Sequence, residues 1–257
     1  MNYKILFKTA MLAGEIMAES GAETFRVEDT MIRILRTSNL QVAEVYATMT
    51  GVMATLSDTS IEPISEVLRI NKRMNNLNKI NEVNQISRNI CDGLITVEEA
   101  YELLQQVRYR TNYSRIIIAF ATIISTGGFA GLFGGSLLDC GIAAINGLIL
   151  VFIGRLLENR IGSSFMIDAA KSFSIAAFTM LCTVAFREAN TEIIIIGSIM
   201  PLVPGVPITN AIRDTLQGDY MSGTARTVEA FVISVGIAFG IGFGMGIYNL
   251  LERMIIK

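Results

Sequence analysis

The feature that most constrains this chain is a series of long apolar runs, each close to 20 residues, filling its C-terminal half. A run of about 20 apolar residues is what a helix needs to cross the hydrocarbon of a bilayer. Five such stretches are expected: Ser114–Phe133, Leu137–Leu156, Ser164–Phe186, Ile193–Ile212 and Ala230–Leu251. Only Gly134, Gly135 and Ser136 separate the first two, so these should form a tight antiparallel pair. Lipid offers no partner for backbone N–H and C=O groups, so such stretches must be helical. The bulk composition agrees, with 51% hydrophobic residues, 17% charged residues and a mean hydropathy of +0.49.

That average covers two unlike parts. Residues 1–113 hold 26 of the 44 charged residues and only 4 of the 22 glycines. The expected fold is therefore a mainly α membrane protein, in which a small α+β N-terminal domain (1–113) precedes a five-helix transmembrane domain (114–257). In the first part Ile5, Leu6, Leu12, Ala13, Ile16 and Met17 form one helical stripe, and Val27, Met31, Ile34 and Leu35 another. Ser20-Gly21 breaks the two, and either Ser20 or Thr24 can cap the second. Val42–Ser57 reads as two strands around Thr50-Gly51, with Ile64–Ile70 as a third. A helix is expected over Leu77–Cys91, ending at Gly93. The Thr96–Glu99 capping box opens another, to about Arg108.

Basic residues set the expected orientation. With the N-terminal domain in the cytoplasm, Arg108, Arg110, Arg115, Arg155, Arg160, Arg213 and Arg226 lie inside, and Arg187, Arg253 and Lys257 outside. Gly127, Gly131 and Gly135, and again Gly236, Gly240 and Gly244, repeat every four residues and put a groove on one helix face. Such a groove serves packing within the chain, a partner subunit or a higher oligomer.

Several chemistries are excluded or unsupported. There is no histidine, which removes His-based triads and imidazole relays. Cys91, Cys140 and Cys182 lie far apart with no C-x-x-C, so neither a disulfide framework nor a metal site is indicated. A net charge of -2 provides no field for nucleic acid. Lys8 and Glu15 interrupt any secretion-signal core in the first 17 residues. No phosphate-binding loop of the G-x-x-x-x-G-K-[ST] type is present, so no nucleotide cofactor is expected.

Three of the four prolines fall within seven residues, Pro201, Pro204 and Pro207, with Gly205 among them. Each removes a donor and clashes with the preceding turn, so the fourth span cannot be one regular helix. Interrupted helices at membrane depth build transporter sites, and Thr209, Asn210, Arg213 and Asp214 follow at once. A kink that only shapes packing is the alternative. Asp168 and Lys171 share a face of the third span, either inside it as ion-coupling groups or at its interfacial end. Glu229 and Asp219 are further coupling candidates. Asn146 is polar and alone in the second span, and reads as packing glue rather than a ligand. Gly21, Glu23, Thr24, Arg26 and Glu28 concentrate polar groups at a helix start, which composition alone makes a solvated surface.

Two segments carry a family resemblance. Ala18–Thr30 (Ala-Glu-Ser-Gly-Ala-Glu-Thr-Phe-Arg-Val-Glu-Asp-Thr) resembles the opening motif of the threonine/serine exporter family. Ile199–Arg226 resembles a second motif, through its Pro-Leu-Val-Pro-Gly core, Thr-Asn-Ala-Ile-Arg-Asp and Gly-Asp-Tyr-x-Ser-Gly-x-Ala-Arg. The resemblance implies export of small carboxylates, threonine and serine or succinate, across the bacterial inner (plasma) membrane. It also implies a split type, in which a YjjP-like subunit of this layout works with a small YjjB-like membrane subunit. The expected function is thus a membrane subunit of a two-component secondary exporter, with no cofactor. A non-transporting regulatory subunit is the first alternative. A membrane-tethered hydrolase is a weaker one, because neither Gly-x-Ser-x-Gly nor a metal-ligand cluster is present.

Overall fold

A computed structural model describes residues 2–111, 113–157 and 160–255, with side chains described as far as Tyr248. The Arg253 side chain and the whole of Lys257 lie outside it, so of the three basic residues expected outside only Arg187 is described. Contacts divide the chain into two compact units. One comprises residues 1–112 and 205–228, the other residues 113–204 and 229–257.

The first unit is built on α1 (Tyr3–Glu19), α2 (Thr24–Arg36), β1 (Val42–Thr48), β2 (Gly51–Asp58), β3 (Ile61–Arg69), α3 (Leu77–Cys91) and α4 (Val97–Tyr109). The Asn2 side chain caps α1 by accepting from the Lys4 and Ile5 amides. Phe7, Ala10 and Met11 are buried as well as the stripe facing them, so α1 is enclosed by α2, α3 and α4 rather than lying on a surface. Gly21 turns the chain at φ +81°, and a Cβ there would stand 2.8 Å from Asn75 Oδ1. The strands form an antiparallel meander in the order β1-β2-β3, with Thr48 opposite Gly51 across the first turn. β3 starts three residues earlier than expected, because Asp58 closes a tight turn by accepting from the Ser60 amide and hydroxyl. The capping box of α4 is present, with Glu99 N donating to Thr96 Oγ1 and Thr96 N to Glu99 Oε2.

In this unit the chain also runs through α9 (Gly205–Leu216) and the first turns of α10 (Tyr220–Ile255). Gly218, at φ +89°, makes the turn between them.

The second unit holds α5 (Arg115–Leu132), α6 (Leu137–Leu157), α7 (Ser164–Ala185), α8 (Thr191–Ile199) and the rest of α10. By length and apolarity α5, α6, α7 and α10 can each cross a membrane. Among the described residues a fifth crossing arises only if α8 and α9 are taken together, across a 3₁₀ turn at Met200–Leu202 and a break at Val203–Pro204. Ile117, Phe120 and Ile124 of α5 are exposed, as lipid-facing side chains are. Asp139, near the start of α6, accepts from the Ser136 amide and hydroxyl and from the Asn190 amide, joining the starts of α6 and α8.

Both glycine series are occupied from within the chain. A Cβ on Gly127 would meet Cys140 O of α6 at 3.0 Å. One on Gly240 would meet Phe173 N of α7 at 2.9 Å, and one on Gly244 would meet Ala176 Cβ at 2.9 Å. These grooves hold α6 and α7, so packing within the chain accounts for them. Asn146 packs the helices together: its amide donates to Thr179 Oγ1 and Ser198 Oγ, each at 2.9 Å, tying α6 to α7 and α8. The three residues sit on different helices, so no local spacing announces them.

Candidate functional site

The two motifs of the sequence meet inside the first unit. Neither Ser20 nor Thr24 caps α2. Ser20 ends α1, and Glu23 occupies the cap position without a side-chain bond to the helix. The cap comes from 190 residues away. Asp214 Oδ1 accepts from the Thr24 amide at 3.0 Å, and Oδ2 from the Thr24 hydroxyl at 3.2 Å. A carboxylate at a helix start satisfies an orphan donor and complements the helix dipole.

Asp214 is fully buried, and its counter-charge is Arg226, only 7% exposed, with Nε 2.8 Å from Oδ2 in an ionic contact. Arg226 Nη2 donates to Ala22 O at 2.7 Å. Asn210 donates to Gly21 O at 2.8 Å. α9 and α10 therefore grip the Gly21–Thr24 linker at both its backbone carbonyls and its helix start. Spacing explains why these side chains share a purpose: Asn210 and Asp214 are four apart on one face of α9, and both are buried.

Around this core lies a charged ring. Glu23 is paired through Oε1 with Arg213 and through Oε2 with Arg26, the latter at 3.3 Å. Burial alone pushes the Glu23 carboxyl upward, but its own backbone N–H and the two guanidinium groups reverse this and hold it below the ordinary glutamate value. Glu28, on the next turn, accepts from the Ala47 amide of β1 at 2.8 Å. Its burial, with Asp219 and Asp214 nearby, holds it above the ordinary value. Asp219 accepts from Ser222 N at 3.2 Å at the start of α10, and its own amide donates to Asp214 O.

The remaining predicted residues are placed elsewhere. Pro201 lies in the 3₁₀ turn and Pro204 at the break. Gly205 opens α9, and Pro207 sits in its first turn, where an absent N–H costs no helix bond. Thr209 is exposed and donates to Gly205 O of its own helix. Asp168 and Lys171 are half-buried on α7, and Glu229 is half-buried on α10. Arg226 was legible only as the last residue of the second motif; nothing in its local spacing pointed to Asp214. Among the described residues no group of three metal-ligating side chains converges.

The second unit has a cleft lined by Arg115, Thr122, Arg155, Lys171, Pro201 and Leu202, so the residues around the proline break divide. Pro201 faces this cleft, whereas Asn210, Arg213 and Asp214 bind the Gly21–Thr24 linker.

A bundle of apolar helices, one of them interrupted by prolines, together with an α+β unit, defines a multi-pass membrane protein. The family described as "Putative threonine/serine exporter" matches residues 8–248. The chain belongs to the threonine/serine exporter family. It is 25% identical over 240 residues to a "Probable threonine/serine exporter" of Mycobacterium tuberculosis, covering 93% of this chain but only 45% of that protein. It is 24% identical over 238 residues to a "Probable succinate transporter subunit YjjP" of Klebsiella aerogenes, covering 91% of this chain and 90% of that one. The chain thus spans about half of the first relative and nearly all of the second. No solved structure matches.

Proposed function

We propose that this chain is the YjjP-like membrane subunit of a two-component secondary exporter of small carboxylates. On this reading residues 1–113 form a cytoplasmic domain and 114–257 a transmembrane domain in the bacterial inner membrane. Five crossings are proposed, the fourth carried by α8 and broken at Pro204, after which α9 packs with residues 1–112. Grouping of Gly205–Val228 with residues 1–112 supports the same-side placement of the α9–α10 turn and the N-terminal domain. The near full-length match to a relative named as a transporter subunit supports a partner, a small YjjB-like protein.

The observation that carries the reading is the break at Val203–Pro204. An apolar helix pair is interrupted there, and the freed backbone groups need protein, water or substrate to satisfy them. A hydrolase is not proposed, because the family match favours transport and, among the described residues, no metal-ligand cluster converges.

Proteoliposomes carrying this chain with and without the small partner test the proposal, using radiolabelled succinate, threonine and serine. Transport is expected only with both subunits, and Pro204→Ala is expected to slow it. Full transport by this chain alone removes the partner; no movement of any of the three substrates with both subunits removes the exporter.

A further inference from the structure

We propose that the first unit carries a binding site for a phosphate monoester, formed by Arg33, Arg36 and Arg88 where α2 and α3 end side by side. The site goes beyond the transport reading and does not rest on it.

Arg33 and Arg36 stand in the last turn of α2, and Arg88 in the last turn of α3. With Thr37, Cys91 and Asp92 they line one cleft of about 410 Å³, a volume suited to a small ligand. Basic residues in a last turn ordinarily serve the helix itself, by bonding its orphan carbonyls and opposing its dipole. Here those carbonyls are already taken. Ile34 O, Leu35 O and Arg36 O accept from the amides of Thr37, Ser38 and Asn39. Arg88 O, Asn89 O and Ile90 O accept from those of Asp92, Leu94 and Gly93. Cys91 Sγ donates to Arg33 O at 3.7 Å and ties the two helix ends together. The guanidinium groups are thus left with donors to offer. Arg33 meets Asp29 through Nε at 2.9 Å, and Arg88 Nε donates to Asn84 O at 3.4 Å. Arg36 makes no hydrogen bond or ion pair among the described residues.

Charge and shape select the ligand. Three cations face two carboxylates, Asp29 on Arg33 and Asp92 on the cleft wall, so a net positive charge remains. Guanidinium forks match the oxygens of a phosphate two at a time. A monoester, close to doubly charged at pH 7, gains more from this cleft than a singly charged diester. Among the described residues no aromatic side chain lines the cleft, so nothing there stacks on a nucleobase. An anion held here sits on the helix whose other end Asp214 caps.

A soluble phosphorylated metabolite and an anionic lipid headgroup offer the same phosphate, so the test carries both. The full-length chain in dodecyl maltoside, at fixed ionic strength, is titrated calorimetrically with glycerol 3-phosphate and separately with dioctanoyl phosphatidate in the same micelles. Dioctanoyl phosphatidylglycerol serves as the diester. At least one monoester is expected to bind at least tenfold more tightly than the diester. Glycerol 3-phosphate within tenfold of phosphatidate assigns the site to a soluble ester, and a wider gap in favour of phosphatidate assigns it to a lipid headgroup. Arg36→Gln and Arg88→Gln are each expected to weaken the bound monoester about tenfold, the scale of one charge-assisted hydrogen bond. Arg36→Lys should recover only part of this, because an ammonium lacks the fork. Asp92→Asn is expected to tighten binding, a gain that a folding defect does not produce. Arg69→Gln, at an exposed arginine outside the cleft, should change nothing.

Failure of both monoesters to bind more tightly than the diester overturns the site. So does binding that neither Arg36→Gln nor Arg88→Gln weakens, or that Arg69→Gln weakens equally.

Discussion

Asp214 concentrates the physics of the first unit in one side chain. It is buried, ion-paired to Arg226, and caps α2 through Thr24. Removing one partner of a buried pair strands the other charge, at a cost of about 3–5 kcal/mol. Asp214→Ala should therefore lower the melting temperature in detergent sharply, and Asp214→Ala with Arg226→Ala should cost less than the two single changes together.

Glu23 and Glu28 should respond to pH with opposite sign. Glu23 has a folded pKa below its ordinary 4.5, so its charge favours the fold above that pH, and this contribution is lost as pH falls through the lowered folded value. The stability difference between the wild type and Glu23→Gln should shrink below about pH 4.5. Glu28 has a raised folded pKa, so its ionisation opposes folding at pH above that value and the penalty vanishes below 4.5. Glu28→Gln retains an acceptor for the Ala47 amide, and should be neutral or stabilising at pH 7 by denaturation in detergent.

At the scale of elements, close backbone approach decides how the helices of the second unit pack. A Cβ on Gly197 of α8 would stand 2.6 Å from Ala130 N and 2.8 Å from Ala130 Cα of α5, both backbone atoms. Gly128, on the same α5, has nothing within 4 Å. Gly197→Ala should therefore cost about 1–3 kcal/mol through forced separation of α5 and α8, whereas Gly128→Ala should leave the melting temperature unchanged or slightly raised. The repeat of glycines every four residues was visible in the chain. Which helix filled each groove was not, because a glycine records only that something comes close. The same limit applies to α2: the Ser20-Gly21 break was legible, but its cap is a carboxylate remote in sequence.

At the scale of the whole molecule, the proposed topology makes an accessibility prediction. With the native cysteines replaced, single cysteines at Lys72 and Gln217, both exposed, should react with an impermeant thiol reagent from the cytoplasmic side. Cysteines at Ser136 and Glu188 should react from the other side. Labelling of positions 217 and 72 from opposite sides would contradict the arrangement.

The elements of this protein were largely written in local pattern. Apolar runs demanded helices because lipid satisfies no backbone group, α3 matched its periodicity, and three prolines forbade a continuous fourth span. Both motifs, and the residues Glu23, Thr24, Asn210, Arg213 and Asp214, could be named from the chain alone. Their meeting could not. Periodicity reports which face of an element is apolar or polar, but pairing between residues 190 apart depends on how the elements pack. Tertiary structure alone decided that Asp214 caps α2, that Arg226 neutralises it, that Asn146 joins three helices, and that Arg115, Arg155 and Lys171 share one cleft.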